Sequence, residues 1–392
     1  MQSIRLNKFL GLNNQRPKLG LQKEYLYTAN DIVIQDDLTI KVRNGNERIV
    51  TTTTTPHSLW AEGDYCFYRE DDKLVRLFKD MTTSVVTTGI ISKNRMYYKL
   101  INGTVYMSDG TSGFVYSPKG FYKLGVEIPN PPMLEATSGT LEAGKYYVYL
   151  TWVRKDGQES GTSRYDEIDL VSNSGINIIL PVCNNPDIAK VIVYISEVNS
   201  GRFYFYNDYN INVPVATISS KNTSRLMPLT EGLKPMPYGT NLTLFNSRLW
   251  CSLSSEIYYS EVYSYELFNP SKNFIVLDNP VIAMYALNNV LIIATTDSLY
   301  SITQNYELSK IYTKPIYSGS GTVIDLQGIS YFDSPLEGVG LLCASEEGML
   351  LVLESGRVIN ITESTYKFTG LSPTSTKGAS VTNGKYYYLN LY

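Results

Sequence analysis

Between Asn246 and Thr303 the chain writes one short unit twice: an apolar strand, a polar turn, and a second strand rich in Tyr and Leu. Leu249, Trp250 and Cys251 precede the turn Ser254, Ser255, Glu256, and Ile257, Tyr258 and Tyr259 follow it. Leu291, Ile292 and Ile293 precede Thr296, Asp297, Ser298, and Leu299 and Tyr300 follow. Leu249 and Leu291 stand about 42 positions apart, the length of one four-stranded propeller blade. Reduced to an apolar residue answered by another eight positions later across a turn, the unit recurs as Cys66 with Leu74, Tyr97 with Val105 and Leu341 with Met349. Each copy predicts a hairpin inside a blade.

Around these copies the pattern divides the chain. Residues 1–45 form an N-terminal arm with a hairpin: Ile32, Val33 and Ile34, a turn at Asp36 and Asp37, then Leu38, Ile40 and Val42, closed by Arg43, Asn44 and Gly45. Residues 46–125 carry the first blades, with Thr51–Thr55 readable as strand or spacer. At Gly125 the pattern stops, and Pro129, Pro131 and Pro132 force an extended linker. A second proline-rich stretch, Met227–Tyr238, ends the interruption. Within 126–238 the residues Tyr146, Val148, Leu150 and Trp152 alternate, and the period of two continues through Ile168, Ile176, Ile178, Val191, Val193 and Phe203. Six or seven short strands at intervals of about ten residues describe an immunoglobulin-like or fibronectin-III-like β-sandwich, with few contacts expected across its linkers. Blades resume over 239–392. The expected fold is all-β: a β-propeller of five to seven blades, six preferred, with an inserted sandwich. Closing the ring asks the terminal strand Lys385–Tyr392 to pair with an early strand.

Composition adds three limits. Tyr is over-used at 33 of 392 residues and no window keeps a helical apolar period, so helix is scarce. The formal net charge is -3, with Lys and Arg scattered, which lacks the basic footprint of a protein that grips nucleic acid. Apolar runs such as Val290–Ala294 are strand length, far below the roughly 20 residues of a membrane helix, and Met1–Leu10 has no signal-peptide core, so no membrane insertion is expected. Cys66, Cys183, Cys251 and Cys343 are widely spaced, and three sit on the apolar first strand of a hairpin copy. Free thiols made in a reducing cytoplasm are expected.

Catalytic chemistry finds little material. His57 is the single histidine and has no Ser or Cys motif near it, which argues against a nucleophilic triad or a His/Cys zinc site. Ser318–Thr322 is Gly-rich but lacks the Lys of a phosphate loop. Paired carboxylates could hydrolyse a glycoside, with Asp64, Asp109, Asp297 and Glu346 as candidates, although each also suits a solvated turn. Trp152 and Trp250 could stack sugars, yet their strand positions suit core packing. Asp36, Asp37, Asp166, Glu167 and Asp169 lack the spacing of a calcium loop. No catalytic residue, cofactor or metal is expected.

The order of parts resembles the tail nozzle, or packaged-DNA stabilisation, proteins of short-tailed bacteriophages. The resemblance lies in Phe9–Asn13, in Ala29–Ile32 with Leu38 and Arg43–Gly45, in Leu141–Val148 with Gly157–Gly161, and in Ile257–Glu261 with Glu266–Phe268. It implies a structural virion protein of the tail, assembled in the host cytoplasm. Such a subunit joins a ring, usually of six copies, below the portal and adaptor and above tail-tip or fibre proteins. DNA would pass through without specific binding. A hexamer would carry a charge of about -18, suited to a wall that does not brake DNA. The acidic turns at Glu70, Asp71, Asp72, Glu346 and Glu347 are the candidates to face that channel. The alternative is a propeller that binds or hydrolyses glycans; a soluble scaffold for host partners is a third reading.

Overall fold

The computed structural model describes residues 8–392 except 36, 44, 46–49, 53, 332–333 and 383–386. Its elements are strands, with one short helical turn at Lys18–Gly20 among the described residues. Two compact units emerge: residues 1–54, 79–81 and 277–392, and residues 55–78 with 82–276.

The fold is all-β and its repeating element is the propeller blade, a four-stranded antiparallel meander. The second unit holds three: Pro56–Glu62 to Thr83–Thr87, Tyr97–Ile101 to Gly120–Lys123, and Thr240–Phe245 to Phe274–Val276. The first unit holds two, Val281–Ala286 to Leu308–Tyr312 and Thr322–Asp325 to Val358–Asn360. Among the described residues that makes five blades, the lower bound of the expected range.

The eight-residue offset has a geometric origin that differs from simple pairing. Leu291 lies opposite Ile302, and Leu299 lies opposite Ala294. Leu291 and Leu299 are therefore three residues out of register and point to opposite faces of the sheet. Both are buried because the blade is covered on both faces, and the whole strand Val290–Thr295 is buried with them. Covered on two sides, a strand reads as a continuous apolar run instead of an alternation. Tyr97 and Val105 also flank a hairpin, but one that joins the first and second strands of their sheet; the other copies join the second and third. Its turn, Asn102–Gly103, has φ values of 50° and 77°, as a two-residue hairpin loop requires.

Residues 133–218 build two facing sheets. One has the order Met133–Leu141, Ser174–Ile179, Val215–Ile218, and the other Asp166–Leu170, Gly144–Arg154, Ile188–Ser196, Phe203–Asn210. Tyr146, Val148, Leu150 and Trp152 from one sheet and Ile176, Ile178 and Ile218 from the other share a single core, the layering of a sandwich. The first six strands follow the B-C-C′-E-F-G order of the immunoglobulin type. The seventh pairs on the free edge of the fourth, where an immunoglobulin domain would place its first strand beside the second.

The proline linkers are not loose. Lys234–Pro235 pairs with Leu267–Phe268, and Gly125, at φ 76°, donates its N–H to Glu266 at 2.7 Å. A Cβ on Gly125 would stand 2.7 Å from the Cβ of Pro235, and one on Gly161 would overlap the Leu233 carbonyl. The expectation of few contacts across these linkers is therefore corrected: the sandwich and its linkers pack against the Glu266–Phe268 segment of the blade that follows the insertion.

In the first unit the arm runs beside its own chain. Gly11–Leu12 pairs in parallel with Tyr25–Leu26, and Ile32–Ile34 pairs with Ile40–Val42 as the expected hairpin. Asp36 and Asn44 lie outside the described residues. The strand Tyr387–Leu391 pairs with Gly378–Thr382 in a two-stranded sheet, not with an early strand; Lys385 and Tyr386 lie outside the described residues. The early chain instead meets the late chain through side chains. Asn14 Nδ2 donates to the Lys367 carbonyl at 2.7 Å, Asn14 Oδ1 accepts from Lys367 N–H at 3.0 Å, and Asn14 N–H donates to the Thr365 carbonyl at 2.9 Å. A carboxamide fits this job because it offers a donor and an acceptor side by side, as a strand backbone does.

Candidate functional site

The five acidic turn residues have different fates. Asp71 and Asp72 are exposed at the tip between Tyr65–Glu70 and Lys73–Leu77, where Asp71 takes φ 50°. Asp72 also closes the neighbouring loop, since its Oδ2 accepts from Gly89 N–H at 2.9 Å. Glu70 is withdrawn, at 9% exposure. In the first unit Glu346 is exposed, while Glu347 is held by Lys314 at 2.5 Å and Lys367 at 3.8 Å. The hydrogen bond from Lys314 holds the Glu347 carboxyl below its ordinary range. Free acidic charge thus comes from Asp71, Asp72 and Glu346.

The carboxylates considered for hydrolysis are built into turns. Asp109 is buried, and its Oδ1 accepts from Thr111 N–H at 2.9 Å, Thr111 Oγ1 at 2.8 Å and Ser112 N–H at 2.8 Å. Burial acts against its charge, but these hydrogen bonds outweigh it and keep the carboxyl below its ordinary value. Asp297 accepts from Thr295 Oγ1 and Ser298 Oγ, both at 2.7 Å. Asp64 and Glu346 are exposed turn residues. Glu167 pairs with Lys145 at 3.1 Å, and Asp37 caps Thr39. Among the described residues no three His, Cys, Asp or Glu side chains are grouped to hold a metal. His57 contacts Ser58 Oγ at 2.8 Å, and burial, with Arg69 nearby, lowers its pKa. Cys251 and Cys343 are buried, which pushes each thiol up to about 12; Cys66 and Cys183 are half-buried.

Two buried arginines went unnoticed in the sequence. Arg69 has no exposed side chain, lies 3.7 Å from Asp109, and donates to the carbonyls of Asp71, Ile90 and Ser92. Arg154 is the centre of a denser group. Its Nη2 and Nη1 donate to Glu266 at 2.6 and 3.0 Å, its Nε and Nη2 to Asp156 at 2.9 and 2.8 Å, and its Nη1 also to the Lys123 carbonyl at 2.7 Å. The guanidinium lies 4.9 Å from the Tyr122 ring centre. Burial opposes its charge, yet Asp156 and Glu266 prevail and raise its pKa. Glu266 is 2% exposed, and burial raises its carboxyl against the pull of Arg154. A signal for Arg154 existed: it continues the inward series Tyr146, Val148, Leu150, Trp152 by two more residues. No period announces Glu266, which sits in a loop.

The same region carries a cleft of ≈ 660 Å³ between the linker at Glu127–Asn130 and the loop Pro181–Asp187, with Trp152 among its lining residues. A smaller cleft of ≈ 360 Å³ lies along Tyr146, Tyr204, Lys221 and Arg225, where each of the two cations faces a carboxylate at 3.6 Å.

No family model matches the chain, and no curated protein matches it. Among solved structures, the chain is similar to virginiamycin B lyase from Staphylococcus aureus, with 10% identity over 86% of this chain and 91% of that one at a TM-score of 0.35. It is also similar to the Pan2 WD40 domain of Neurospora crassa, with 7% identity over 81% of each chain at a TM-score of 0.32. These likenesses transfer no site or activity.

Proposed function

We propose that this chain is a structural subunit of a bacteriophage tail, a nozzle-type ring protein that continues the DNA channel below the portal and adaptor and retains packaged DNA until ejection. The observation that carries the reading is where its family-like motifs fall. Gly157–Gly161 and Glu266–Phe268 lie far apart in sequence and meet at one junction. Gly161 packs against the Leu233 carbonyl, Glu266 grips Arg154, and Leu267–Phe268 pairs with the linker. A motif spent on fastening a module to a blade suits a part that bears load. The exposed Asp71 and Asp72 on one unit, and Glu346 on the other, each suit a surface that repels phosphate. On this reading the protein acts as a homo-oligomer, in a ring of about six copies as closed cyclic assemblies are built, between adaptor-side and tip- or fibre-side proteins.

Electron microscopy of the purified full chain, alone and after mixing with the adaptor-side tail complex, tests this. Closed rings of one symmetry in either sample are expected. A chain that remains monomeric in both, or joins the tail as a single asymmetric appendage, overturns the proposal.

A further inference from the structure

We infer that the cleft between Glu127–Asn130 and Pro181–Asp187 is a saccharide-binding site. Its ≈ 660 Å³ fall within the usual range of small-molecule sites, roughly 300–1,000 Å³. Two kinds of lining group converge there. Trp152, Ile128 and Pro186 supply apolar surface, while Glu127, Asn130, Asn184 and Asp187 supply carboxylates and carboxamides. That combination matches a pyranose, whose C–H faces rest on apolar and aromatic surface while its hydroxyls both donate and accept.

Trp152 is 6% exposed and borders the cleft, so the part of its ring that meets solvent can face a ligand there. Glu127, Asn130 and Asn184 are exposed, so they are open to a ligand. The backbone that presents them is fixed: Asn185 Oδ1 accepts from Asp187 N–H at 2.9 Å, and Lys155 N–H donates to the Asp187 carbonyl at 2.9 Å. With Lys123 also at the rim, charge nearly balances, which favours a neutral sugar over a polyanion.

The test uses the full-length protein and three named probes: maltotriose, N,N′,N″-triacetylchitotriose and the acidic trigalacturonate. Tryptophan fluorescence titration is read together with protection of the half-buried Cys183 thiol from iodoacetamide. Saturable binding of a neutral probe is expected, with Cys183 protected and Cys66 unchanged. Asn130→Ala and Asp187→Ala should weaken binding at least tenfold while leaving the thermal melt in place. Binding by none of the three, binding by trigalacturonate alone, binding that both variants leave intact, or protection by a decaproline peptide in place of a sugar overturns the inference. None of these outcomes depends on whether the chain forms rings.

Discussion

Replacing Arg154 with Leu should expose how strongly the sandwich is fastened to its blade. Leu fills part of the volume but leaves Glu266 with only the Gly125 N–H of its former partners named here, inside a site where its side chain is 3% exposed. Breaking a buried ion pair by removing one member costs about 3–5 kcal/mol, because the remaining charge has lost both water and partner. Asp156, with a side chain 12% exposed, can regain water and adds less. The deficit should depend on pH. Burial already raises the Glu266 carboxyl above its ordinary 4.5, and loss of Arg154 removes the chief force pulling it down. A carboxyl raised in the folded state binds protons more tightly folded than unfolded, so stability falls as pH rises from about 4.5 upward. The variant should therefore be much weaker than the parent at neutral pH and close much of the gap near pH 4. Adding Glu266→Leu should recover most of the loss, since replacing a buried pair by apolar residues is often close to neutral. Urea unfolding of the four proteins at both pH values measures the cycle. A deficit below about 1 kcal/mol, no change with pH, or additive single effects would refute the reasoning.

The same junction makes excision of 126–237 with a Gly-Ser bridge costly, and thermal melting should show the remaining blades recovering when Glu266→Leu is added. Gly161→Ala should destabilise by about 1–3 kcal/mol in urea melts, because its Cβ overlaps the Leu233 backbone and the core must shift to admit it. Asn14→Ala removes two hydrogen bonds to Lys367 at about 1 kcal/mol each, so amide exchange at Lys367 should accelerate roughly tenfold or more while the sandwich amides stay unchanged. If the proposed conduit role holds, fluorescence anisotropy with labelled duplex DNA should show no binding at about 150 mM salt; sub-micromolar, salt-dependent affinity would overturn that proposal in favour of a clamp.

What the sequence made legible follows from which faces are covered. In the sandwich Tyr146, Val148, Leu150 and Trp152 announced the face between the sheets by alternation, although Tyr149 and Thr151 on the opposite face are buried as well. In the blades both faces are covered, so Leu291 to Ala294 give a run without a face, and hairpins were readable only through the turns that end them. That is why the copy at Tyr97 and Val105 was found but set one strand too early: an Asn-Gly turn looks the same whichever pair of strands it joins. The Asn14 clasp was illegible because its partners are the main-chain groups of Lys367, and a carbonyl has no sequence.

The buried arginines mark the same boundary from the other side. Alternation, extended by two positions, sets Arg154 inward while its charge argues for the surface, and the conflict resolves only when Glu266, 112 positions away, is brought to 2.6 Å. A local rule broken inside an otherwise regular strand is thus a pointer to a distant partner. Here the partner sits in a loop of the blade that follows the insertion, between its strands Glu256–Tyr259 and Phe274–Val276. Its carboxylate would be costly to bury alone and is satisfied only when the sandwich is docked. The pair therefore makes docking and blade folding interdependent, which is the property a module must have if force applied to it is to reach the neighbouring blade.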